Sequence, residues 1–125
     1  MSVVYDTGAL IAAERRDPAM WSFHAEALAN GHHPVVPVTV LAQAWRGGPQ
    51  HNLSRLLRGC HVFPDNEGVG RLAGAMCGLS GTSDVVDALV VATAIELDAL
   101  VVTSDPDDLK HLSASVQQEL AMFTV

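Results

Sequence analysis

From Ala88 to Ile95 the sequence reads Ala-Leu-Val-Val-Ala-Thr-Ala-Ile, with no charged side chain and a single hydroxyl. A helix of this composition has no polar stripe to turn toward water, so it must be enclosed on most of its sides. Two carboxylates, Asp84 and Asp87, stand at its mouth. Three residues apart, they share a helix face. They also fall in the first turn, where unpaired N–H groups and the helix dipole favour anions. Two readings of the pair stand open on this segment alone. Asp84 suits an N-cap with Asp87 at N3. Alternatively, the two acids wait for a cation, because an acid at the entrance of a buried helix is unfavourable unless something pairs with it.

The rest of the chain supplies alternating elements. Ser2-Val3-Val4-Tyr5 reads as a short buried strand that ends at Asp6-Thr7-Gly8, and Ala9 to Arg15 as a helix that Thr7 can cap. Asp17-Pro18 marks a second helix start, an acid cap followed by proline at the first helical position, and Asn30-Gly31 marks its end. Val35-Val36 between prolines is a short strand. Val38 to Trp45 has helical apolar spacing and stops at Gly47-Gly48-Pro49. Asn52 to Arg58 is a short basic helix, Cys60 to Phe63 a third strand, and Glu67 to Leu79 a one-faced helix. The apolar helix then runs to about Leu97 and leads into Ala99–Thr103, the most strand-like run of all. Asp105-Pro106-Asp107-Asp108 opens a last helix, with Asp105 as N-cap and Asp108 at N3, and Leu120 to Val125 closes the series as a strand.

Strands that alternate with helices predict a mainly parallel sheet covered on both faces, a three-layer α/β/α sandwich. Sites in such sheets form beyond the carboxyl ends of the strands. Asp6 ends the first strand and Asp105 follows Val101-Val102-Thr103. A helix that leads into a strand has its N-terminus at that strand's carboxyl end, so Asp84 and Asp87 belong to the same edge. Capping explains each acid singly but not their common address. Several carboxylates at one edge suit a hard divalent cation, Mg²⁺ or Mn²⁺, which takes oxygen ligands and leaves room for phosphate oxygens.

Length and charge bound the alternatives. A chain of 125 residues with 49% hydrophobic and 17% charged residues predicts one globular domain across 1–125. A net charge of −7, with seven Arg and Lys residues, argues against broad electrostatic binding of nucleic acid. Any such role needs a local basic strip or metal ions. Cys60 and Cys77 have no metal-site spacing and predict buried, reduced thiols. No apolar run approaches the about 18 residues of a membrane span, and no secretion signal precedes Asp6, so a cytoplasmic location is expected. The six histidines are scattered and none falls at a strand's carboxyl end, which places them on the surface or in turns. Trp21, Phe23 and Trp45 have apolar neighbours and are expected in the core.

Three stretches carry a resemblance. Val4-Tyr5-Asp6-Thr7-Gly8-Ala9-Leu10, Asp87-Ala88-Leu89-Val90-Val91-Ala92-Thr93-Ala94 and Val102-Thr103-Ser104-Asp105-Pro106-Asp107-Asp108-Leu109 resemble the motifs of PIN domains, above all the VapC-like toxins of bacterial toxin–antitoxin pairs. The likeness keeps chain order over nearly the whole sequence. It implies a PIN-like sandwich and a ribonuclease dependent on Mg²⁺ or Mn²⁺ that hydrolyses RNA without a covalent enzyme intermediate. It further implies Asp6, Asp87 and Asp105 as metal-binding acids, with Asp84 and Asp108 as outer members and Thr7 or Thr103 orienting a ligand or water by hydrogen bonding. A cognate antitoxin and a homodimer are the partners it suggests.

The departure is Gln43, in Val38-Thr39-Val40-Leu41-Ala42-Gln43-Ala44-Trp45-Arg46, where the family's second acid falls. A glutamine offers a carbonyl oxygen but no charge. Either Asp84 compensates, or the domain is a weakened or inactive module acting by RNA or protein binding. Arg46 has two readings, a fork for substrate phosphate or a solvated helix end. A phosphoryl-transfer domain with an aspartate nucleophile is disfavoured, because Gly8 stands where a second acid would be needed and the only lysine, Lys110, lies inside the last helix.

Overall fold

The computed structural model describes residues 2–125, and its centre is a sheet of five parallel strands. In chain order the elements are β1 (Ser2–Tyr5), α1 (Thr7–Glu14), α2 (Pro18–Ala29), β2 (Val35–Pro37), α3 (Val38–Ala44), α4 (His51–Leu57), β3 (His61–Phe63), α5 (Glu67–Ser80), α6 (Val85–Leu97), β4 (Ala99–Thr103), α7 (Pro106–Ser115) and β5 (Met122–Thr124). The strand order is β3-β2-β1-β4-β5. The sheet is wholly parallel, a step beyond the mainly parallel one expected from the sequence.

The chain therefore winds outward from β1 in one direction through β2 and β3, then returns to the other side of β1 for β4 and β5. Parallel crossovers are right-handed, so this reversal puts α1–α4 on one face of the sheet and α5–α7 on the other. Most of the packing follows that division: α1 meets α2, α3 and α4, while α5, α6 and α7 meet one another, and only α3 against α6 crosses it among the main helix contacts of the described residues. The three layers enclose a core in which Val4, Tyr5, Leu10, Met20, Val36, Leu53, Leu56, Met76, Val101 and Leu112 are almost fully shielded.

The apolar helix behaves as its composition requires. Seven consecutive residues of α6, Ala88 to Ala94, are buried, wedged between the sheet and α5 and α7. Its one buried hydroxyl, on Thr93, donates to the Leu89 carbonyl at 2.7 Å, so no polar atom is orphaned there. The helix ends at Asp98 in the left-handed conformation (φ +50°), a turn aspartate tolerates better than most residues and one that aims the chain into β4.

Several local expectations change. Asp6, not Thr7, caps α1: the Ala9 N–H donates to its Oδ1 at 2.8 Å. Trp45 is not in the core. It sits at the C-cap of α3, 41% exposed, because α3 stops at Ala44 and the chain turns outward there. Trp21 and Phe23 are half-buried against the core, and the Arg55 guanidinium lies 4.2 Å from the Trp21 ring centroid. His24 departs from the expected surface setting. It is buried, and its Nδ1 lies 2.8 Å from the Tyr5 hydroxyl. Both cysteines are free and only half-buried.

Candidate active site

The order β3-β2-β1-β4-β5 reverses direction between β1 and β4, and ligands in doubly wound sheets bind at such a reversal. Register pairs Tyr5 with Val102, so the two strands end side by side. Asp6 leaves β1 at that point, with its N–H donating to the Val102 carbonyl at 3.2 Å, and Asp105 follows one turn past the end of β4. Residues distant in sequence thus arrive together because a four-residue and a five-residue strand pair in register.

Thr103 ties the two acids. Its fully buried hydroxyl accepts from the Asp105 N–H at 2.9 Å and hydrogen-bonds the Asp6 carboxylate. Asp6 is 5% exposed, and burial is the main force raising its pKa, with the Asp105 charge adding to it. The hydrogen bonds from Thr103, Ala9 and Gly8 oppose the rise. Gly8 is required here for space. A Cβ on it would overlap Ser104 Oγ and stand 2.9 Å from Ser104 Cβ, so the start of α1 is pressed against the loop that carries Asp105.

The acids of α6 and α7 complete the edge. Asp84 is an N-cap, accepting from the Asp87 N–H at 3.0 Å, so the capping reading holds. It does not exhaust the pair. The Asp87 carboxyl is pushed up to about 7 by burial first, then by Asp84, Asp6 and Asp108. Asp105 stands against Asp108 and is the main cause of its raised pKa, with Asp84 adding more weakly. Asp105 holds the N-cap position of α7 without a side-chain capping bond. Asp6, Asp87 and Asp108 are thus each raised in part by neighbouring carboxylates. No arginine or lysine answers them, since the only ion pair among the described residues is Arg71–Glu67.

A cavity of about 120 Å³ lies between Thr82, Asp84, Asp87, Asp108, His111 and Leu112. His111 was missed by reasoning from sequence. It sits three residues after Asp108 on the same helix face, which is the signal that points to it, and its Nε2 is 3.1 Å from the Ser80 carbonyl. Since a carbonyl only accepts, that nitrogen carries the proton.

Gln43 reaches the site through Thr7, whose hydroxyl donates to Gln43 Oε1 at 2.6 Å. The amide oxygen is thereby aimed at the chain segment that begins with Asp6. Arg46 faces its own helix end: its guanidinium donates to the Trp45 carbonyl at 2.8 Å and the Ala42 carbonyl at 3.3 Å.

The donor set suits a divalent ion in chemistry and charge: carboxylate oxygens, one amide oxygen and no competing cation. A carboxylate has about four lone-pair sites, so Asp6, with its bonds from Ala9, Gly8 and Thr103, and Asp84, with one from the Asp87 N–H, both keep capacity for a metal. Among the described residues, however, no three His, Cys, Asp or Glu side chains already stand in a ligating group. An ion would have to draw the acids inward.

Solved structures with the same architecture identify the fold. VapBC2 from Rickettsia felis bound to a DNA fragment from their promoter is similar at a TM-score of 0.71 and 17% identity, over 100% of this chain and 99% of the matched one. VapBC-1 from nontypeable Haemophilus influenzae matches at 0.70 and 16%, over 99% and 98%. FitAB bound to an IR36 DNA fragment matches at 0.68 and 14%, over 98% and 94%. The chain thus has a PIN-like fold of the VapC type, in agreement with the motifs around Asp6, Asp87 and Asp105. No protein-family model matches the sequence, and no curated protein does.

Proposed function

We propose that this protein is a VapC-like endoribonuclease that uses Mg²⁺ or Mn²⁺ held by Asp6, Asp87 and Asp105, with Asp84 as a further acid. The observation that carries the reading is the unanswered charge at the β1/β4 reversal, where burial and then Asp105 raise the pKa of Asp6, burial and then Asp84, Asp6 and Asp108 raise that of Asp87, and no ion pair with a side-chain cation relieves them among the described residues. When bound, such an ion supplies charge compensation, lowers the pKa of water and polarises a phosphoryl oxygen. The protein's own residues prepare the place. Thr103 orients Asp6 and fixes the loop that carries Asp105. Thr7 holds the Gln43 oxygen toward the same edge. Asp87, near neutral pKa, releases its proton readily when a cation arrives.

Solved relatives of the fold are VapBC and FitAB complexes, which supports a small antitoxin partner for this chain. A homodimer belongs to the same reading, as does a cytoplasmic location where RNA is at hand. No helix among the described residues is long and apolar enough to cross a membrane.

The test compares RNA cleavage by the wild type with and without EDTA and by Asp6→Asn and Asp105→Asn. Cleavage confined to the untreated wild type is expected, and equal cleavage in all samples ends the proposal. A second reading rests on Gln43, a neutral residue where the related motif has an acid, and on the acids not being drawn together: a weakened or inactive module that binds RNA or protein. Gln43→Glu separates the two. A large gain in cleavage identifies a crippled natural site, and little change means the remaining acids suffice.

A further inference from the structure

A cavity of about 590 Å³ opens beside the acid edge. It is lined by Gly8, Ile11, Ala12, Arg15, Arg16 and Ser104 among others. Gly8 lies two residues after Asp6 and Ser104 immediately precedes Asp105, so the groove begins where the acids end. Gly8, Ile11, Ala12 and Arg15 recur at helical spacing on one face of α1. At 1.5 Å per residue that face extends the groove by roughly 10 Å from the acids.

At its far end the chain presents two adjacent guanidinium groups. Arg15 is the C-cap of α1, where the helix dipole favours a cation. Arg16 follows with a left-handed backbone (φ +63°) that is pinned by its N–H donating to the Ala13 carbonyl at 3.0 Å. Both side chains are exposed, and neither enters an ion pair with a carboxylate among the described residues. Asp17 also lines the groove and caps α2, its carboxylate accepting from the Met20 N–H at 2.9 Å. Between the arginines and the acids the wall is apolar, with Ile11 41% exposed.

We infer that this groove is the path of a single-stranded nucleic acid leaving the acid edge, with Arg15 and Arg16 holding a phosphate further along the strand. The inference rests on the nuclease reading for the identity of the strand. The physical case is one of charge. A chain of net charge −7 repels a polyanion nearly everywhere, and an RNA held at the acids has to continue over some surface. This groove joins the acids to unpaired cations, and its exposed apolar wall accepts a base face while the guanidinium groups accept a phosphate. Arg46, whose guanidinium serves its own helix end, is less free to do so.

The experiment measures binding of a fluorescein-labelled oligouridylate in EDTA, where cleavage plays no part, by anisotropy across a range of salt concentrations. For Arg15→Gln/Arg16→Gln we expect about tenfold weaker binding and a log–log salt slope smaller by about 0.7, since each lost phosphate contact removes roughly that much on single strands. Arg15→Lys/Arg16→Lys is expected to restore the slope, and Arg71→Gln, remote and paired with Glu67, to change nothing. Undetectable binding by the wild type, or unchanged affinity and slope in the Gln pair, overturns the inference. So does a Gln pair that binds the oligonucleotide normally but loses poly-L-glutamate, which assigns the groove to an acidic peptide. These readouts are separate from the EDTA and aspartate tests of cleavage, so the nuclease can stand while the groove fails.

Discussion

Tyr5 and Asp6 are neighbours in the chain and both are buried, yet they inhabit opposite kinds of surroundings. Side chains alternate across a strand, so consecutive residues face different layers. Tyr5 meets His24, with its hydroxyl 2.8 Å from Nδ1 and Phe23 packed at its edge. Burial raises the tyrosine's pKa, pushes the nearby Cys60 thiol up to about 12 and lowers that of His24, so all three stay neutral and the pair is self-contained. Asp6 meets Asp105 and Asp87, and the shifts there come from like charges as well as burial. The difference separates two uses of a buried polar group. One arrangement is complete within the protein and stabilises it. The other is incomplete and destabilises the protein until something positive arrives, which is the pattern expected of a functional site.

The largest expected effect breaks the comparison at its acid end. Losing one carboxylate that would hold an ion worth several kcal/mol of charge stabilisation is expected to reduce cleavage on the order of hundredfold or more. Asp6→Asn should show this in a single-turnover RNA assay, while Tyr5→Phe, one residue away, should leave the rate within a few-fold. Stability then reverses the ranking. Tyr5→Phe leaves His24 Nδ1 without its partner and is expected to lower unfolding free energy by about 1–3 kcal/mol in urea.

Asp87→Asn should go the other way in metal-free protein at pH 8. It removes a charge that three acids oppose, and its amide donates to the Asp84 carboxylate, giving a gain of roughly 0.5–2 kcal/mol in the same urea experiment. A loss there would mean the acids are already satisfied. Added Mg²⁺ should raise the wild-type Tm and shift this variant much less.

The smallest effect is in pH dependence, and the two regions have opposite signs. Asp87 titrates near 7 folded against an ordinary value of 3.8, so its folded form holds the proton more tightly. Its share of stability is full below about pH 3.8 and is lost as pH rises to about 7. His24 is lowered from 6.5, so the unfolded chain binds the proton more tightly. Its share is full above pH 6.5 and falls as pH drops below that value. The two slopes oppose each other over much of the acid range. Metal-free Asp87→Asn should therefore lose stability more steeply on acidification than the wild type, and His24→Gln less steeply. Thermal melts between pH 5 and 8 read both.

Much of this was legible in the residues. The Ala88–Ile95 run demanded enclosure and received it from α5, α7 and the sheet. Asp17-Pro18 and Asn30 delimited α2 as their capping chemistry predicts. The acids at strand ends pointed to one edge because strand direction follows from alternation with helices. What failed was local. Trp45 has the composition of a core residue, but its neighbour Arg46 and the Gly47-Gly48 break carry it outward. His24 looks like a solvated residue on an ordinary amphipathic helix until Tyr5, 19 positions earlier, is placed beneath it. The cap of α1 moved by one residue, since Asp and Thr cap with similar preference and only the direction of the first turn distinguishes them.

By itself the sequence determined the layers, the parallel sheet and the strand ends at which acids stand, because hydrophobic period and capping are properties of neighbouring residues. Tertiary structure alone decided what each acid faces. Thr103 bridges Asp6 and Asp105, Thr7 turns Gln43 toward the same edge, and Arg15 and Arg16 come to flank a groove that starts there. Those relations depend on strand register and on the close approach of Gly8 to Ser104, where distances of a few ångströms set the local field. Spacing along the chain carries no record of such distances.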